Sequence, residues 1–154
     1  MAGRIVVGID GTERGAAALR WAVEEAALRD AAVEAVHVWN AVPMATAPDA
    51  VVAPLAWTAN TDVLDATREA AERIAENQVS EVNDPDGRVT ASVVQGETVD
   101  ALLAAADDAD LLVVGTRGRG GIAQALFGSI SSRVSDRAHC PVVVVHAEAG
   151  SSSD

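Results

Sequence analysis

The residues with the clearest chemical potential are Gly115-Thr116-Arg117-Gly118-Arg119-Gly120-Gly121, directly after the apolar run Leu111–Val114, with the pattern continuing to Gly128-Ser129. A strand that ends in glycines and then feeds a helix presents main-chain N–H groups to a single anion, so the chemistry suggested is phosphate binding. A second candidate stands at the end of the first apolar run, where Ile5–Ile9 gives way to Asp10-Gly11-Thr12. In an open doubly wound sheet, ligands sit at the carboxyl ends of strands where the strand order reverses. If these two strands are neighbours, Asp10 faces the glycine stretch across a crevice. The N–H donors would then take phosphates. The carboxylate would take ribose hydroxyls or a phosphate-bound Mg²⁺. Arg117 and Arg119 either offset the negative field locally or are solvated loop arginines.

The elements that must position these groups follow from the apolar pattern. Residues 3–9 and 111–114 are short continuous apolar runs, as expected of strands covered on both faces. Val33–Trp39 and Val142–Val145 read as further strands, and Arg88–Val94 alternates in the way expected near a sheet edge. Between them lie helical patterns. The first has Thr12 as N-cap, Leu19, Val23 and Ala26 at helical spacing, and ends near Asp30. The second runs from Asp62 to about Glu81, with Leu64, Ala71 and Ile74 on one side. The third covers Thr98–Asp107, and the last carries Ile130 and Val134, with Ser129 as its expected N-cap. The order β-α-β-loop-α-β-α-β-α-β argues an α/β fold, a parallel sheet with helices on both faces. Residues 40–61 fit no period, and their Pro43, Pro48 and Pro54 stand beside Val51, Val52, Leu55 and Trp57. The segment reads either as a contact segment or as a surface loop.

Composition narrows the chemistry. The chain has 154 residues and a net charge of -12, and all 11 basic residues are arginine. That length suits one domain. The charge argues against a general nucleic-acid surface. Without lysine there is no Walker loop, no Schiff base and no phospho-receiver site. A dinucleotide fingerprint would follow the first strand, where it is missing. A nucleophile elbow would need Gly-x-Ser-x-Gly, whereas Ser129 stands in Phe-Gly-Ser-Ile-Ser. His37, His139 and His146 lack ligand spacing and read as structural. Cys140 is the single cysteine, so it forms no internal disulfide and reads as a buried, inert thiol. The N-terminal residues do not resemble a signal peptide, and no apolar run approaches the ~20 residues of a membrane span. A cytoplasmic protein is expected, with no nucleic-acid or membrane partner.

Taken together, these residues resemble the universal stress protein family in its ATP-binding branch. The resemblance rests on Gly115, two residues, Gly118, nine residues, Gly128 and Ser129, combined with Asp10 at the first strand end. The opening Ile5–Thr12, Leu19-Arg20-Trp21-Ala22 and the closing His139–Val144 add to it, over residues 3 to about 146. It implies a five-stranded parallel sheet of order 3-2-1-4-5, like that of the adenine nucleotide alpha hydrolases. It further implies that Asp10 contacts ribose or phosphate, that the Val38 backbone contacts adenine, and that Gly115, Gly118, Gly128 and Ser129 hold phosphates. Gly11, Thr12, Thr116, Arg117, Arg119, Ile130 and Ser131 complete the implied ATP-binding set, with any metal reaching Asp10 only as Mg-ATP. Thr12 departs from the serine frequent there. The ligand is expected to be ATP, ADP or AMP.

The resemblance also implies a homodimer through the last strand. Val142, Val143, Val144 and Val145 on an edge strand would be an aggregation hazard unless paired, which supports the same interface independently. The expected protein is a homodimeric, ATP-binding regulator of stress adaptation that acts through nucleotide occupancy, with residues 1–146 as its domain and 147–154 as a flexible tail. No catalytic residue is assigned, and a protein partner is left open. The alternatives are a slow ATP hydrolase or phosphotransfer protein, and a dimeric interaction module without nucleotide.

Overall fold

The computed structural model describes residues 2–40, 61–116 and 129–147. Its strands are β1 (Gly3–Ile9), β2 (Ala31–Trp39), β3 (Val89–Gln95), β4 (Leu111–Gly115) and β5 (Val142–Val145). The helices are α1 (Glu13–Arg29), α2 (Thr61–Glu81), α3 (Thr98–Ala105) and α4 (Ser129–Arg137). The strands form one parallel sheet in the order β3-β2-β1-β4-β5. The chain therefore leaves the middle of the sheet in two directions, and β1 and β4 lie side by side at the reversal. The expected fold class and strand order are both observed.

Two apolar cores flank the sheet. Ile5, Val7 and Ile9 of β1 meet Leu19, Ala22 and Ala26 of α1 on one face, together with Ala75 of α2. On the other face Val6, Val36, Leu112 and Val114 meet Val99 and Leu102 of α3 and Val134 of α4. The continuously apolar stretches Ile5–Ile9 of β1 and Leu111–Val114 of β4 make this possible, since both pleat directions end in a core. β5 divides in the same way, with Val143 and Val145 on the first core and Val142 and Val144 on the second.

Three expectations need correction. In α2 the buried positions are Ala71, Ala75 and Gln78, while Leu64 and Ile74 are each 39% exposed. Small side chains face inward here, and the large aliphatics that dominated the sequence pattern lie outside. β3 does not alternate cleanly: Val89 and Val93 face the first core and Val94 the second, but Ala91 is exposed. α4 begins at Ser129, which is therefore a helical residue rather than the residue before the helix. The segment 41–60 lies outside the described residues, as does the tail beyond Ala147.

Ion pairs tie the bottom and flank of the sheet. Arg4 of β1 reaches Glu34 of β2 at 2.5 Å and the carbonyl of Ala105 at 2.9 Å. Arg88 donates to Asp30 at 3.1 Å and to Asp86 at 3.2 Å, and both carboxylates raise its pKa further above an already high value. No helix among the described residues is long and apolar enough to cross a membrane.

A candidate nucleotide cleft where beta1 and beta4 part

A cleft of about 450 Å³ opens at the carboxyl ends of β1 and β4. Its volume lies in the range of small-molecule sites. Val36 and Val38 of β2, with Leu102 of α3 and Val114 of β4, give it an aliphatic wall. Asp10 and Thr12 from the β1–α1 connection, Arg14 in the first turn of α1, Thr98 of α3 and Thr116 after β4 contribute polar groups. A second hollow, of about 390 Å³, lies between the C-terminal ends of α3 and α4. Its Arg137 and His139 are already paired with Asp100 and Asp107, at 3.0 and 3.4 Å. The cleft at the strand ends is the better ligand site, because the sheet reversal lies there.

The β1 side is built by hydrogen bonds. Thr12 occupies the N-cap position of α1 with extended backbone, as expected, but its hydroxyl turns to Asp10. Asp10 Oδ1 accepts from the Thr12 N–H at 3.0 Å and from Thr12 Oγ1 at 2.5 Å. Gly11 has φ +79°, the left-handed region that favours glycine, and a Cβ there would stand 2.8 Å from Ile74 Cγ2. Gln78 then reaches over from α2. Its Oε1 accepts the Gly11 N–H at 2.9 Å, and its Nε2 donates to the Thr12 carbonyl at 2.8 Å. His37 Nδ1 donates to the Ile9 carbonyl at 3.0 Å, which ties β2 to the end of β1.

The β4 side is built by close approach. A Cβ on Gly115 would lie 2.9 Å from the Arg14 carbonyl oxygen and 3.2 Å from its carbon. Both are backbone atoms that cannot step aside. A Cβ on Gly8 would crowd both Leu102 methyls at 3.2 Å, so the cleft floor also depends on a missing side chain. The Thr116 N–H donates to the Val145 carbonyl at 2.9 Å, which carries the sheet ladder one residue past β4.

The structure thus brings Asp10, Thr12, Val38, Gly115, Thr116 and Ile130 to one cleft, with Gly11 beside it beneath Ile74. Ser129 is exposed at the start of α4, whereas Ser131 is 1% exposed and belongs to the interior of that helix. Arg117, Gly118, Arg119 and Gly128 lie outside the described residues. Sequence reasoning missed Arg14, Gly8 and Gln78. A signal existed for Gln78, a lone polar residue in register with Ala71 and Ala75. Among the described residues no group of three or more His, Cys, Asp or Glu gathers to hold a metal.

Two further groups have shifted acidities. The Glu97 carboxylate accepts the Asp100 N–H at 2.8 Å at the start of α3, which lowers its pKa below the ordinary carboxylate value. Cys140 is half-buried against the second core rather than fully buried, and desolvation raises its thiol pKa. It is therefore a protonated, poorly nucleophilic thiol, in line with the inert role expected of it.

The chain is similar to known proteins over nearly its whole length. A universal stress protein of Mycobacterium tuberculosis, Rv2005c, is 32% identical over 149 residues, covering 94% of this chain and 48% of the relative. The chain spans about half the length of the curated relatives it matches. A crystal structure of a universal stress protein in complex with cAMP is 28% identical, with a TM-score of 0.57 over 94% of this chain and 97% of the other. A universal stress protein from Archaeoglobus fulgidus in complex with dAMP is 26% identical, with a TM-score of 0.55 over 92% and 96%. The model of the Universal stress protein family matches residues 1–146, and on that match the chain belongs to the universal stress protein family.

Proposed function

We propose that the chain binds an adenine nucleotide, ATP in the first instance, in the cleft between the ends of β1 and β4 and acts as a regulator through its occupancy. The observation that carries this reading is the pairing of an anchored carboxylate, Asp10, with a strand end, Gly115, that approaches a backbone without any side chain. An adenine ring suits the aliphatic side made by Val36, Val38 and Leu102. Ribose hydroxyls suit Asp10 as hydrogen-bond acceptor, and phosphates suit the glycine-rich continuation after Thr116. The cAMP and dAMP complexes of relatives at 28% and 26% identity support the adenosine part of the ligand. Any Mg²⁺ would arrive on the phosphates, with Asp10 as the protein carboxylate at hand.

In this reading the chain works as a cytoplasmic homodimer. β5 is the last strand of the sheet, and its edge away from β4 offers main-chain groups to a second copy. The test is calorimetric titration of the purified chain with ATP, together with mass spectrometry of any small molecule it releases. Saturable binding of ATP at a 1:1 ratio per chain is expected, with hydrolysis slower than roughly 1 s⁻¹, the low end of ordinary enzyme turnover. Failure to bind ATP, ADP or AMP would overturn the reading. Steady turnover above that rate would replace occupancy with catalysis.

A further inference from the structure

We propose that Gln78 is the positioning residue of the cleft: it sets the place of the Asp10 carboxylate from α2, and so makes α2 respond to whether nucleotide is bound. This rests on the reading of the cleft as an adenine-nucleotide site.

Gln78 is 6% exposed on the face of α2 that otherwise carries Ala71 and Ala75. Burying an amide costs free energy unless both of its ends are paired, and an apolar residue would fill the space without that cost. Both ends of Gln78 are spent on one short stretch of main chain, the Gly11 N–H and the Thr12 carbonyl. The Thr12 N–H and hydroxyl in turn hold Asp10 Oδ1. The position of Asp10 is thus fixed through Thr12, and that of Thr12 through α2, 66 residues away in sequence. Gly15 closes the arrangement from below. A Cβ there would lie 2.8 Å from Asp10 Oδ1 and 3.1 Å from Gln78 Oε1, so carboxylate and amide share one tight space. One turn earlier on α2, Ile74 covers Gly11. Two α2 residues on one side of the helix therefore grip the loop that bears the ligand-facing carboxylate. A ligand that tightens Asp10 must also tighten this grip, because coupling between two sites is reciprocal.

The experiment is a double-mutant cycle read by ATP titration, with thermal unfolding recorded alongside. Gln78→Met should weaken ATP binding about tenfold in the otherwise native chain, and less than twofold when Asp10→Ala is already present. A residue that merely supported the fold would lower the melting temperature and weaken ATP equally in both backgrounds, and that result overturns the proposal. Gln78→Glu would set a carboxylate oxygen against the Thr12 carbonyl and a second negative charge beside Asp10, so its loss should be at least that of Gln78→Met. Should neither variant fold, amide exchange in the native chain decides. ATP should slow exchange at Gly11 and along Ala71–Val79 of α2, and an unchanged α2 overturns the inference. A native chain that binds no ATP overturns this proposal and the underlying reading together. Binding with a purely additive cycle removes this proposal alone.

Discussion

The two strand ends that make the cleft are held by opposite means. At β1, side chains do the holding: Asp10, Thr12 and Gln78 form a closed set of hydrogen bonds around Gly11. At β4, the determining feature is a side chain that is missing, since Gly115 lies against the Arg14 backbone. Hydrogen bonds can be removed one at a time, each at a modest net cost. Steric exclusion has no such gradation, because an added methyl either fits or displaces the backbone. One half of the site is therefore adjustable and the other is close to all-or-none.

That contrast can be broken most strongly at Gly115. Gly115→Val is expected to push β4 off α1, to cost about 2–3 kcal/mol of stability, and to eliminate ATP binding. Urea unfolding and calorimetry would check both, and native affinity at an unchanged midpoint would show that the β4 end is not sterically set. A smaller effect is expected at the adjustable end. Thr12→Val removes only the hydroxyl donor to Asp10 and keeps the main-chain donor. ATP affinity should fall by roughly threefold, as for one modest hydrogen bond, with little change in melting temperature. A loss as large as that of Gly115→Val would erase the distinction between the two ends.

The smallest effect is expected outside both strand ends, at the start of α3. The Glu97 carboxylate has its folded-state pKa lowered by the Asp100 N–H, so its contribution is present above the ordinary carboxylate range and lost as pH falls through the depressed value. Glu97→Gln should flatten the acid limb of the melting-temperature profile, below the ordinary carboxylate range, and leave ATP affinity at neutral pH as it was. A changed affinity would mean that the cap of α3, and not only its Thr98 and Leu102 in the cleft wall, bears on the ligand.

Much of this was legible in the sequence, for a definite physical reason. The runs at Ile5–Ile9 and Leu111–Val114 could be read as buried strands because both of their faces meet a core, and Asp10 and Gly115 followed as the residues at their ends. The strand order came from resemblance to a family and not from any periodicity. Three features were hidden. α2 buries Ala71 and Ala75 and exposes Leu64 and Ile74, so its inward face is marked by small residues and not by the large aliphatics that dominate the pattern. The partners of Gln78 lie 66 and 67 residues away, beyond the reach of any local pattern. Thr12 stood at the expected cap, but its hydroxyl was claimed by a nearer carboxylate.

β5 carries a further consequence. Four identical residues serve both cores in turn, so the strand could shift by one position and still present valine to three of its four slots. In most strands a shift of this kind is forbidden because it turns polar side chains inward. Here the interior of the strand holds no such information. Alignment is encoded at its borders: a shift one way brings the exposed His146 into a half-buried slot, and a shift the other way brings Pro141, which has no N–H, into the ladder. The valines are interchangeable with one another, whereas the two residues that bracket them are not.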